Sequence, residues 1–256
     1  MKPVSKLLLA LVPALFLAAC GGGNEDDLDD RLDLADPKVR MVHAIPLGPD
    51  VSLFRNDEAQ ASEVTDMPYK GASDYFDVSV NEATWEVRTA TSPSASIGEV
   101  TFDPSRGEKY TLIAVPDAGS LTEVVLITDP FRKGLTSDKA RLRAFNAAFN
   151  AANLDVYLTA PGADITTATP TFAAVGYKDA MPASGEDSIE VSGDTYQLRL
   201  TAAGSKTVVF DAQVVLEDNA DWLLVPVPAS LDANHVNVLA VRADAGTPAV
   251  EIDGTP

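Results

Sequence analysis

Arg40-Met41-Val42-His43-Ala44-Ile45-Pro46-Leu47-Gly48-Pro49-Asp50-Val51-Ser52-Leu53-Phe54 returns later in the chain, without a gap, as Arg143-Ala144-Phe145-Asn146-Ala147-Ala148-Phe149-Asn150-Ala151-Ala152-Asn153-Leu154-Asp155-Val156-Tyr157. The spacing is 103 positions throughout, so His43 falls on Asn146, Asp50 on Asn153, Leu53 on Val156 and Phe54 on Tyr157. Further matches keep the same order: Tyr69-Lys70 with Tyr177-Lys178, Thr84-Trp85 with Thr195-Tyr196, and Phe102-Asp103 with Phe210-Asp211. Tyr110 then matches Trp222, and Val115-Pro116 matches Val227-Pro228. The spacing drifts from 103 to 112 along the way, as loop insertions cause. Matched positions are mostly aromatic or apolar, which is what a shared core demands. The chain therefore holds two related units.

Both units read as β. Thr84-Trp85-Glu86-Val87-Arg88 alternates, with Trp85 and Val87 on one face, and Gln197-Leu198-Arg199-Leu200-Thr201 alternates likewise. Tyr110 to Val115 and Trp222 to Val227 are continuously apolar, as central strands covered on both faces are. No segment has a long helical period, though the alanine-rich stretch from Phe145 to Ala152 has room for one helical turn. In Asp155-Val156-Tyr157, Asp155 and Tyr157 share a face, and the simpler expectation puts both outward. Each unit spans about 95 to 105 residues with seven or eight short strands, which suits an all-β fold of two tandem immunoglobulin-like antiparallel β-sandwich domains. A small barrel is the alternative architecture. The expected boundaries are 38–131 for the first sandwich, 132–138 for a linker, 139–244 for the second sandwich and 245–256 for a C-terminal tail.

Val39-Arg40-Met41-Val42-His43-Ala44-Ile45-Pro46, followed by Pro49-Asp50-Val51, resembles the opening of the domain of unknown function family DUF4397. Members typically read Val-His-Ala-Ser-Pro-Asp-Ala-Pro before a Val-Asp-Val-Tyr strand. The second unit departs in the loop but keeps the strand as Asn153-Leu154-Asp155-Val156-Tyr157, whereas the first has Ser52 where the second has Asp155. Tyr110 to Val115 and Leu126-Ile127-Thr128-Asp129 are similar to the family's closing strands. The resemblance covers Lys38 to Arg132 well and Lys139 to Asp244 more loosely. It implies a β fold, tandem occurrence and a place in the bacterial envelope or on the surface, and it brings no established activity.

The first nineteen residues have the layout of an export signal: Lys2 and Lys6, an apolar run from Leu7 to Leu17, then Ala18 and Ala19. Eleven residues of helix span about 16 Å, well short of the roughly 30 Å hydrocarbon core. Leu17-Ala18-Ala19-Cys20 resembles the lipobox of bacterial lipoproteins, which implies cleavage before Cys20, a thioether-linked diacylglycerol on its sulfur and an acylated amino terminus. Several chains anchor stably where one does not. Gly21, in place of an inner-membrane retention aspartate, points to the outer membrane. Residues 20–37 then read as a lipidated, flexible tether, with three glycines followed by Glu25, Asp26, Asp27, Asp29, Asp30, Asp33 and Asp36 against Arg31 alone. That run lacks the ligand spacing of an EF-hand loop.

With 19 basic and 38 acidic residues, the chain has a formal charge of −19, which excludes a nucleic-acid partner. Cys20 is the only cysteine, so the core is held without disulfides within the chain. Of the two histidines, His43 falls on Asn146 in the second unit and His235 sits near a late strand, so they are not equivalent positions. His43 and Asn146 are expected to bond their own following loops. No Gly-x-Ser-x-Gly elbow and no His-Glu-x-x-His motif occurs. The sequence thus gives no catalytic, metal or cofactor residues; Cys20 is its one site residue, for lipid attachment. The expectation is a non-enzymatic envelope protein that presents loops to a protein or glycan partner, with 44–50 and 147–153 the first to examine. A calcium-dependent or small-ligand binding module is the alternative, and an envelope-polymer hydrolase comes third.

Overall fold

A computed structural model of the chain describes residues 35–60, 64–117, 121–130, 138–243 and 247–255. The signal segment 1–19, Cys20, most of the tether 20–37 and most of the linker 132–138 lie outside the described residues.

The first unit contains β1 (Lys38–His43), β2 (Val51–Arg55), β3 (Glu58–Ala59), β4 (Phe76–Asp77), β5 (Ala83–Thr89), β6 (Ser96–Phe102), β7 (Glu108–Pro116) and β8 (Thr122–Pro130). These form two four-stranded sheets, β4-β1-β7-β8 and β3-β2-β5-β6. The second unit contains β9 (Lys139–Phe145), β10 (Leu154–Thr159), β11 (Phe172–Val175), β12 (Ala180–Met181) and β13 (Ile189–Ser192). It continues with β14 (Asp194–Ala202), β15 (Val208–Leu216), β16 (Asp221–Pro228), β17 (Val236–Arg242) and β18 (Ala249–Ile252). Its sheets are β12-β9-β16-β17-β18, with β13 also on β9, and β11-β10-β14-β15. The expected tandem β-sandwich is therefore present. Ala249–Ile252, in the segment expected to be a tail, instead adds an edge strand to the second unit. The chain from Phe145 to Ala152 makes a turn and no helix, because Asn146 ties its own backbone down.

One pairing in each unit departs from the antiparallel pattern. β1 runs parallel to β7 over six residues, and β9 runs parallel to β16. The repeat is kept in detail, since Val51 bridges Met67 just as Leu154 pairs with Val175. Lys70 and Lys178 both take positive φ (68° and 67°), as do Asp66 and Ala174 (both 53°). These non-glycine left-handed positions recur at matched places, so the bend is a property of the unit.

Each sandwich has its own core. Trp85, Val87, Met41, Leu53 and Leu112 fill the first; Leu154, Leu198, Leu200, Phe210 and Leu142 fill the second. A third core lies between the units. Val42, Ala44, Ile113, Val115 and Ile127 of the first pack against Phe145, Leu223, Val225, Val227 and Leu239 of the second. The arrangement is four sheets deep, and the two inner sheets are covered on both faces. This explains the continuous apolar runs of β7 and β16, and it makes the pair one packed body rather than two beads on a linker. The end of the expected tether joins this body too: Ala35 is buried and its carbonyl accepts from Gly107 N, while Arg106 pairs with Asp36 at 2.7 Å.

Candidate functional site

β1, β7, β9 and β16 all end at one pole of the molecule. Ile45 and Pro46 follow β1, Pro116 ends β7, Phe149 follows β9 and Leu231 follows β16, and all five line one cleft of about 580 Å³ between the units. Leu121, Thr122, Asp117, Tyr177 and Lys178 complete its walls. The loops singled out in the sequence, 44–50 and 147–153, thus meet across one opening. Ala35 sits at the other end, beside the start of β7. The nine residues of β7, at about 3.3 Å each, put the cleft some 30 Å from Ala35.

Contacts across the unit boundary repeat with a pseudo-twofold relation. Tyr177 donates its hydroxyl to the Pro116 carbonyl, and its counterpart Tyr69 donates to the Pro228 carbonyl at 3.3 Å. Burial raises both phenols to about 12, so they remain neutral donors at any physiological pH. Lys178 reaches Asp117 and Glu123 of the first unit, and Lys70 reaches Glu251 of the second. A second, smaller cleft of about 150 Å³ lies at the matched place, walled by Leu47, Tyr69, Lys70, Pro228 and Ala229. Pro46 and Leu231 border both clefts, so the two adjoin.

The polar side chains of the larger cleft are already engaged within the protein. Thr122 Oγ1 donates to the Ile97 carbonyl at 2.6 Å, Tyr177 to Pro116, and Lys178 to two carboxylates. What the cleft presents is apolar. Leu231 is 68% exposed, Leu121 66% and Phe149 41%, and Leu47 of the smaller cleft is 88% exposed; four such side chains gathered at one pole form a patch rather than scattered surface residues. Reading the sequence missed Leu121 and Leu231. Their signal was a lone leucine in an otherwise turn-like stretch, as in Ala229-Ser230-Leu231-Asp232.

His43 is fully buried. Its Nδ1 lies 3.1 Å from the Met67 carbonyl, so Nδ1 carries a hydrogen and donates it there. Burial lowers its pKa below the usual 6.5. Asn146 does the same work, donating from Nδ2 to Val175 O at 3.1 Å while its Oδ1 accepts from Ala148 N. The loop expected to receive His43 is therefore the wrong one: the partner lies on the crossing segment around Met67. His235 is exposed at the pole, with its Nδ1 3.2 Å from Ser230 Oγ. The Asp232 carboxylate meets Ser230 Oγ at 3.3 Å. In a nucleophilic triad the carboxylate orients the imidazole; here it touches the serine, and the three residues cap one surface turn.

The outward placing of Asp155 and Tyr157 is also corrected, since both are buried. They do face away from the sandwich core, but flanking loops cover them. Asp155 accepts from Ala174 N at 2.8 Å and Gly204 N at 2.9 Å, and Lys206 lies 3.0 Å from the Tyr157 hydroxyl. Ser52 accepts from Asp66 N at 3.0 Å, the matched bond in the first unit.

On the side of the inter-unit core away from the cleft the boundary is ionic. Arg143 donates to the carbonyls of Pro182, Ala183 and Glu186 and reaches Asp129 of the first unit at 3.4 Å. Arg40, its counterpart, bonds Thr111 Oγ1 at 3.0 Å and stacks on Tyr75 at 4.5 Å. Among the described residues no group of three or more His, Cys, Asp or Glu is placed to hold a metal ion.

No curated protein matches this chain. A crystal structure of CBMbc (family CBM26) from Eubacterium rectale Amy13K, in complex with maltoheptaose, aligns over 86% of this chain and 98% of that one. Its identity is 8% and its TM-score 0.24, too low for the likeness to inform fold or function. Residues 37–157, the first unit and the opening of the second, match the model of the family described as domain of unknown function DUF4397.

Proposed function

We propose that this chain is a non-enzymatic, lipid-anchored binding module of the bacterial cell envelope, held through Cys20 at the outer membrane and presenting its inter-unit cleft to a protein partner. The observation that carries this reading is the state of the cleft: apolar side chains stand exposed while its polar side chains are bonded internally. A glycan is recognised largely through hydrogen bonds, and this surface has few groups left to make them. A protein that buries apolar side chains fits it better. The cleft opens at the pole opposite the tether, so an anchored chain holds it away from the bilayer. Its volume also falls within the roughly 300–1,000 Å³ of small-molecule sites, which makes a small apolar ligand the second reading.

A photo-crosslinking residue placed at Leu121 or Leu231 in growing cells tests the site, with Val215, exposed on β15, as control. The proposal expects a discrete protein adduct from the pole positions only. Equal labelling from Val215, or no protein adduct from either leucine, overturns it. Fatty-acid labelling of wild type and Cys20→Ala tests the anchor; equal incorporation refutes it.

A further inference from the structure

The two adjoining clefts and the charges around them specify what kind of segment the pole accepts. The larger pocket, of about 580 Å³, is walled by Ile45, Leu121 and Phe149; the smaller, of about 150 Å³, by Leu47 and Pro228. Pro46 and Leu231 form the ridge between them. Two apolar pockets side by side suit an extended chain that puts one side chain into each, since alternate residues of an extended segment point the same way. A compact ligand fills one pocket and leaves the ridge bare.

The surrounding charge is negative. The two lysines that line the clefts are already paired, Lys178 with Asp117 and Glu123 and Lys70 with Glu251. Asp232 lies beside Leu231, on the turn that borders both pockets, and is exposed. Carboxylates therefore outnumber ammonium groups around an apolar floor, on a chain whose formal charge is −19. A complementary partner is apolar at its centre and basic at its ends; complementary charge of this kind favours encounter and suppresses acidic competitors.

Resting on the reading of the pole as a protein-binding site, we infer that its occupant is an extended segment of the partner, with two apolar side chains flanked by lysine or arginine. The test is fluorescence anisotropy of the full chain, purified in detergent, with synthetic octapeptides. Their apolar cores vary over leucine, phenylalanine and proline, and each core is flanked by lysine, serine or glutamate. Lysine-flanked peptides are expected to bind about tenfold more tightly than glutamate-flanked ones at low salt, with the gap closing as salt rises. Leu121→Ser and Leu231→Ser change exposed side chains and leave the cores intact; each should weaken all three flank types together. Glu123→Gln with Asp232→Asn should remove only the preference for lysine. Equal or tighter binding by glutamate-flanked peptides overturns the inference, as does binding unaffected by Leu231→Ser. If no peptide binds but the pole still crosslinks to a protein in cells, this inference fails while the protein-binding reading stands. If the pole crosslinks to nothing, both fall.

Discussion

Asn146 stands in the second unit where His43 stands in the first, and each holds the same carbonyl of its own unit: Val175 for Asn146, Met67 for His43. The exchange keeps the bond but adds a titratable group to one unit only. Burial lowers the pKa of His43 below 6.5, so as pH falls below that value the unfolded chain takes up a proton that the folded chain refuses. The unfolded state then binds more protons, and stability drops with falling pH. His43→Asn should cost about 1 kcal/mol or less at neutral pH and remove this part of the acid sensitivity. Denaturant melts of both proteins at pH 7 and pH 5 check it; an unchanged pH dependence in the variant excludes His43 as the cause.

Tyr177→Phe deletes the hydroxyl that crosses the unit boundary to Pro116. The expected loss is about 1 kcal/mol, with a similar or smaller loss for Tyr69→Phe, whose bond is longer. The two sit at opposite ends of a pseudo-twofold contact, so the double variant should show additive losses. Chemical denaturation of the three variants measures this.

The inter-unit core makes the two units unfold together. Trp85 reports on the first unit and Trp222 on the second, so Trp85→Phe and Trp222→Phe each leave a single-tryptophan probe. The two fluorescence transitions should coincide. Ile113→Ala, which opens a cavity in the shared core, should shift both by the same amount, about 2–4 kcal/mol. Separate midpoints would show that the units melt as independent domains.

Among the described residues Asp155 accepts two backbone amides, from Ala174 and Gly204, where Ser52 accepts that of Asp66. Asp155→Ala leaves both amides without an acceptor and should cost about 2–4 kcal/mol. Asp155→Ser keeps the bond the first unit makes and should lose less. Equal losses in thermal melts would mean that the amides are satisfied in some other way.

The double coverage of the inner sheets was legible because β7 and β16 carry apolar residues on both faces, a pattern no two-layer sandwich on its own requires. The bond made by Asn146 was half legible: its exchange for His43 announced a donor, but the receiving carbonyl arrives from a crossing segment that the strand pattern does not place. Asp155 was read outward because strand period alone puts it opposite the core, and period says nothing of loops that fold back over that face. Arg40 and Arg143 were readable only as charged strand residues. The burial of Arg143 depends on Asp129 of the first unit and on carbonyls of the loop around Pro182 to Glu186; that of Arg40 depends on Thr111 and the Tyr75 ring. The cleft follows from the way the units pack, so its walls could be located by loop but not assembled.

The parallel pairing of β1 with β7 also sets the mechanics of the molecule. For a chain held at its N-terminal side and pulled from the pole, force enters at Lys38 and runs along the strand axis. The hydrogen bonds that tie β1 to β7 through six consecutive residues then lie across the direction of pull and are loaded in shear together. An antiparallel edge strand peeled from one end would yield bond by bond. The pairing at the centre of the β4-β1-β7-β8 sheet therefore gives the first unit a stiff axis from Lys38 to the cleft.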